Sequence, residues 1–195
     1  MTAAAPRVIE SKLRGFSCAY SDYVDDPYQL GEFVVVREGR FPVIGVVSAV
    51  ESGPEDPSRP LLPRGAPGVS AAEVLTINAG MRELLRTEVG VVACGYFAGD
   101  RARPGLPPLP TPLLAEVELA ASSEIGAFAS DCAFLERLIF DSGSNDSTVT
   151  AALRRVALAL KPGENDFLVG AGKELARLLR ADPARLATIL RGVVD

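Results

Sequence analysis

The sequence predicts an α+β fold: a small six-stranded, mostly antiparallel β-barrel in residues 1–120, followed by an α-helical region in 121–195. Three observations carry this reading. β-branched apolar runs recur through the first 120 residues. Two Pro-rich stretches punctuate them. From Ser122 onward the apolar period changes to that of a helix.

The first strand candidate is Gly15-Phe16-Ser17-Cys18-Ala19-Tyr20. Residues 30–37 (LGEFVVVR) and 41–50 (FPVIGVVSAV) flank Glu38-Gly39-Arg40, a spacing that signals a hairpin with Gly39 at positive φ. Both runs are apolar at nearly consecutive positions, as in strands covered on both faces. Gly45, inside the second run, suits a bulge or sharp bend. Residues 51–70 are dense in Pro and Gly and predict an exposed loop that moves or touches something. A strand is expected over 73–77 (EVLTI), a short helical patch over 81–86, and another strand over 89–97 (VGVVACGYF). The Pro-rich crossing 103–112 is expected outside the sheet, because Pro cannot donate to a ladder. Residues 113–119 (LLAEVEL) complete the six strands.

In the second region, Ile125, Phe128, Ala129, Cys132, Leu135, Leu138 and Ile139 follow Ser122 at helical spacing. The run 141–147 (DSGSNDS) breaks that helix. A second helix is expected over 148–160, ended by Lys161-Pro162-Gly163. A third is expected from Gly170 or Lys173 to Arg180, and a fourth over 183–193, with Asp182 as N-cap and Pro183 at the first position.

Composition bounds the function. The chain has no His, which excludes Ser-His-Asp and Cys-His catalysis and the commonest metal ligand. Cys18, Cys94 and Cys132 form no CxxC pair, so they read as small buried hydrophobes in a reducing compartment rather than as a zinc site or disulfide framework. Residues 1–149 hold 12 Lys/Arg against 20 Asp/Glu, and residues 150–195 hold 8 against 5. The acidic front is a poor nucleic-acid surface, since phosphate contacts require clustered cations. The start, Met-Thr-Ala-Ala-Ala-Pro, has no signal-peptide pattern, and no apolar run reaches the roughly 20 residues of a membrane span. A cytoplasmic location is expected.

Few residue groups suggest chemistry. Residues 167–174 (FLVGAGKE) approach a P-loop, but Phe167 stands where the first glycine belongs and Glu174 where the magnesium-binding hydroxyl belongs. What remains is a Gly-rich helix start, or an anion site at Gly170 to Lys173. Glu116 and Glu118 share one strand face, either as an acid pair or as charges guarding an edge. Lys173, Arg177 and Arg180 form a basic helix face, solvated or offered to an acidic partner, and Arg154, Arg155, Arg185 and Arg191 add to it. Tyr20, Tyr23 and Tyr28 lie among Asp22, Asp25 and Asp26, which is no nucleic-acid platform. No catalytic, cofactor or metal residue is assigned.

Gly15-Phe16, the acidic Tyr loop, Leu30-Gly31-Glu32-Phe33-Val34-Val35-Val36 and Val43-Ile44-Gly45-Val46-Val47 together resemble the amino-terminal HerA–ATP synthase barrel of HerA-type ATPases. Val92-Ala93-Cys94-Gly95-Tyr96 and Pro112-Leu113-Leu114-Ala115-Glu116-Val117 resemble its closing portion, so the likeness covers about residues 13–125. It implies a barrel that helps assemble a ring and docks a partner nuclease. The motor that follows the barrel in that family has no counterpart here, so ATP hydrolysis does not carry over. The resulting expectation is a non-enzymatic module acting through protein partners or self-association, as an adaptor or subunit of a HerA-like DNA-processing or ATPase complex. The alternative is a small-molecule or nucleotide-binding protein using the barrel mouth and the segment from Gly170 to Lys173. An enzyme built on Glu116 and Glu118 is the third.

Overall fold

The computed structural model describes residues 5–99, 101–161 and 163–194. Pro162 of the expected helix stop and the first four residues of the N-terminal reading lie outside them. Over the described residues the fold is α+β: an open antiparallel sheet of seven strands with six helices, the five that follow residue 121 forming the layer packed on it. The strands are β1 (Arg7–Lys12), β2 (Gly15–Ala19), β3 (Phe33–Val36), β4 (Val43–Pro54), β5 (Leu85–Ala98), β6 (Arg101–Pro104) and β7 (Glu118–Leu119). They run in the order β1-β2-β5-β4-β3-β7, with β6 pairing β5 off this path.

Between the two ends of the path lies a strap, residues 111–117. Val8 N donates to Ala115 O at 3.0 Å, Leu114 N to Val8 O at 2.8 Å, and Val117 N to Pro6 O at 2.9 Å. Arg7 and Glu116 form an isolated bridge there, and among the described residues no continuous ladder joins the two ends.

The expected hairpin joins β3 and β4, with Gly39 at φ 98° in its turn. The predicted bulge is present as well. The β4–β5 register shifts between Ile44 and Gly45, where an added Cβ would stand 2.7 Å from Val92 O. Every residue of β3 is buried, because each face of the sheet carries a core.

Several expected elements are corrected. Residues 73–77 lie in a helix, α1 (Ala71–Ile77), not a strand. Ser70 caps it: its Oγ accepts from Glu73 N at 3.3 Å while Glu73 Oε2 accepts from Ser70 N at 2.8 Å, and this reciprocal pairing outweighs the β-branched composition. The strand count is seven because β1 and β6 form where none was expected. β1 buries Val8 alone, and β6 is a short edge strand on β5 that takes in Arg103 and Pro104 of the crossing expected outside the sheet, with Pro104 at its end, where an edge tolerates it. Residues 113–117 are largely strap, with only Glu118–Leu119 in ladder pairing.

The helical region comprises α2 (Ser122–Ala129), α3 (Phe134–Phe140), α4 (Asp146–Ala159), α5 (Glu164–Leu178) and α6 (Pro183–Val194). The single helix expected from Ser122 to Ile139 is two, split at Cys132, which takes φ 59°. Asn145 caps α4 by accepting from Thr148 N, and Asp182 caps α6 by accepting from Arg185 N, each at 3.0 Å. α4 is central, touching α2, α3, α5, α6 and β4. Helices and sheet share one core that includes Phe33, Ile44, Phe134, Leu138, Leu153 and Ile189. Arg137 fastens α3 to the sheet: its Nε donates to Ala93 O at 3.2 Å and its Nη2 to the buried Asp141 at 2.8 Å.

A second core fills the other face. Val8 of β1 and Val34 of β3 share it although their strands lie far apart in the sheet order, so the sheet curls around this cluster.

Candidate interaction surface

Two surfaces expose apolar side chains on an ordered frame. The first is the insertion, residues 55–84, at the far end of the β4–β5 ribbon. Its base is fixed by pairing of Pro54 with Leu85 and by Glu55 N donating to Leu84 O at 2.9 Å. Within it, α1 buries only Leu75. Leu62, Ile77 and Leu84 are 68%, 76% and 60% exposed. A cleft of about 580 Å³ opens between the loop and the 3₁₀ turn Ala79–Leu84, walled by Pro54, Leu61, Leu62, Met81 and Leu84 and rimmed by Arg59 and Arg64. A patch of large apolar side chains with a charged rim is the usual build of a contact surface.

The second is the strap with the Pro-rich crossing before it. Leu109, Leu113 and Leu114 are more than half exposed, and Leu114 sits at φ 66°. The left-handed region costs a non-glycine residue about 1–2 kcal/mol. Leu114 is nevertheless held on both sides: its N–H by Val8, and its carbonyl by Arg7 Nη1 at 2.8 Å.

The carboxylates considered as an acid pair are separated by their partners. Glu118 accepts from Arg37 Nε at 3.0 Å, whereas Glu116 lies 3.7 Å from Arg7. Arg37 also grips Glu124 through two hydrogen bonds, which hold the Glu124 carboxyl below its ordinary range. The segment from Gly170 to Lys173 lies in the interior of α5, six residues beyond its start at Glu164, so it is neither a helix start nor a helix N-terminal anion site. Backbone N–H groups there belong to helical turns and cannot surround a phosphate.

On the basic tail face, Arg177 pairs with Glu174, Arg155 with Glu32, and Arg185 with Asp146. The Arg155 pair joins tail to sheet within one chain. The acidic Tyr loop is likewise internal in its contacts. Tyr28 donates to Val117 O at 2.9 Å, Tyr20 accepts from Tyr28 N, and Arg82 pairs with Asp25 beneath Tyr23.

All three cysteines are buried and free. Burial pushes the Cys18 and Cys94 thiols up to about 12 and Cys132 up to about 11. Among the described residues, no group of three or more His, Cys, Asp or Glu is placed to hold a metal ion. No described helix is long and apolar enough to cross a membrane.

Sequence reasoning marked residues 51–70 as an exposed loop, of which 51–54 instead extend β4 in pairing with β5, and it missed the strap; the strap's available signal was the run of leucines between prolines in 106–114. No protein-family model matches the chain, and no curated protein matches it.

Proposed function

We propose that this chain is a barrel module of the HerA–ATP synthase type that works by protein–protein contact, as an adaptor or subunit of a DNA-processing or ATPase assembly. The carrying observation is the insertion: apolar side chains gathered around a cleft, on a base that the β4–β5 ribbon holds in register. Burying one such leucine against a partner contributes about 1.5–3 kcal/mol, so a few of them sustain a specific contact. The barrel reading is supported by the strap, whose hydrogen bonds to β1 run beside its continuation into β7 against β3. The Arg37 and Arg7 ion pairs favour a structural use of Glu118 and Glu116 over acid–base chemistry.

The test is photo-crosslinking from position 62 in cells, with the captured protein identified by mass spectrometry. The expected product joins this chain to a motor ATPase or nuclease. A version with residues 55–84 replaced by a two-residue turn should fold and lose that product. Recovery of no heterologous partner overturns the adaptor reading. A rise in unfolding temperature with ATP or GTP would favour nucleotide binding instead.

A further inference from the structure

We propose that the free edge of β4, from Val50 to Pro54, is a docking strand for an extended segment of a partner protein that alternates apolar and basic side chains. This rests on the protein-contact reading above and adds the backbone form and side-chain chemistry of the partner.

The first argument is the hydrogen-bond register. Glu55 N donates to Leu84 O, which makes these two a bonded pair continuing the β4–β5 ladder. Bonded and non-bonded pairs alternate, so Gly53 with Arg86 and Glu51 with Glu88 are bonded as well. Val50, Ser52 and Pro54, which alternate with them, turn their backbone groups away from β5. The far side of β5 agrees with this: Thr87, across from Ser52, gives its carbonyl to Tyr20 N. Nothing takes the corresponding place beside β4. The chain leading into β3 last bonds β4 at Val47, through Gly31 N and Glu32 O. Beyond that point, among the described residues, no hydrogen bond reaches the N–H groups of Val50 and Ser52 or the carbonyls of Val50, Ser52 and Pro54. Val50, Glu51 and Ser52 are all exposed. A row of unpaired donors and acceptors is a template for one more strand.

The second argument is the pattern of side chains along the edge. Cross-strand pairing sets Val50, Ser52 and Pro54 on the face of the buried Leu85, Thr87 and Val89, and sets Glu51 on the opposite face with Glu88. An added strand therefore lays alternate side chains beside Val50 and Pro54, and the intervening ones beside Glu51. The edge ends at Pro54 and Glu55, both of which line the insertion cleft, so the same segment leads toward Leu61 and Met81.

Charge selects the partner. Residues 48–58 include Glu51, Glu55 and Asp56 and no Lys or Arg. Arg59 is taken by Asp56 and Arg86 by Glu88, which leaves Glu51 and Glu55 without an ion pair among the described residues. Arg64 on the cleft rim offsets one of them at most. Glu51 also stands directly across from Glu88, a like-charge pair, and its other lateral neighbour is the vacant edge. A Lys or Arg of an incoming strand fits that place. A second copy pairing edge to edge would bring the same acids together instead.

The test uses the full chain and a short acetylated peptide alternating valine and lysine, followed by amide NMR. The expected result is saturable binding with hydrogen exchange slowed at Val50 and Ser52. A peptide N-methylated along its bonding side leaves the protein untouched and should not bind. Glutamate in place of the peptide's lysine, or Glu51→Lys in the protein, should weaken binding about threefold or more. Val50→Pro removes an N–H that β5 does not use, so the chain should fold and lose the peptide. Absence of binding, unchanged exchange at Val50 and Ser52, or equal binding of the N-methylated peptide overturns the docking strand. Equal binding of the glutamate peptide overturns the basic partner. Crosslinking from position 62 separates the two readings: a motor or nuclease still captured by the Val50→Pro chain removes this edge and leaves the adaptor reading intact. Peptide docking on the edge with no heterologous partner captured does the reverse.

Discussion

The core beneath the helices is built mostly of phenylalanine, leucine and isoleucine with some valine, whereas the core the sheet curls around is mostly valine, with Phe16 and Tyr20 as its large side chains. Phe33 and Val34 are consecutive residues of β3 and belong to different cores. Helices resting on a twisted sheet leave uneven gaps that large side chains must fill. A sheet curled on itself crowds its inward Cβ atoms, and short β-branched side chains fit there in one preferred rotamer. The two sides of one strand thus obey different volume rules.

Truncation on either side is the sharpest way to break that comparison. Phe33→Ala should destabilise by about 3–5 kcal/mol, because the site faces Phe128 and Phe134 at once and cannot collapse. Val34→Ala removes only two methyl groups and should cost about 2 kcal/mol. Urea midpoints measure both, and equal losses would refute the distinction.

Next in size is the fastening of the helical side. Arg137→Met leaves Asp141 buried without its nearest cation, since Arg14 stands 3.8 Å away and is largely exposed. The expected loss is about 3 kcal/mol. Changing Asp141→Leu in the same chain should restore much of it; if it restores none, the contact to Ala93 O matters more than the charge pair.

Gly45→Ala probes the curl itself. The new methyl would meet Val92 O and a Val91 methyl group at the bulge, so the β4–β5 ribbon must shift, at about 1–3 kcal/mol. Hydrogen exchange should then quicken at amides of both faces. Acceleration confined to one face would mean that the two cores are not coupled through the bulge.

The most gradual effect sits at alkaline pH. Cys18 lies in the valine core and Cys94 in the helix-covered one, and burial raises both to about 12. A raised thiol contributes stability that is fully present below its unfolded value of about 8.5 and is lost as pH rises toward its folded value. Stability should therefore fall as pH rises above about 8.5 toward 12, and fall less in Cys94→Ala. An identical fall in that variant would assign the loss to other groups.

How much of this was legible follows from what each segment is surrounded by. β3 and β4 were readable because two-sided burial writes itself as unbroken apolar runs, and Asp182-Pro183 announced α6 through its cap. EVLTI misled because β-branched composition is an average property, while α1 depends on one local pairing of Ser70 with Glu73. Gly170 and Gly172 suggested a helix start, yet α5 runs through them because Phe167, Ala171 and Leu175 are held in the core. β1 offers one buried side chain and was invisible. As for the candidate surfaces, exposure of the insertion could be read from its Pro and Gly content. The strap's arrangement could not, because a left-handed leucine leaves no mark on composition.

The bond from Val8 to Ala115 also sets a timetable for synthesis. β1 is made before its strap-side partner, which lies 107 positions later in the chain. At about 5–20 residues per second, β1 waits roughly 5–20 s at the ribosome before that partner is even translated. β2 must wait for the part of β5 that begins at Glu88, and Phe33 for helices made later still. During that interval the valine run of β3 has only β4 to pair with and an uncovered face on either side. A polar β1, with Val8 as its one inward apolar anchor, is a strand that can bear the wait in water.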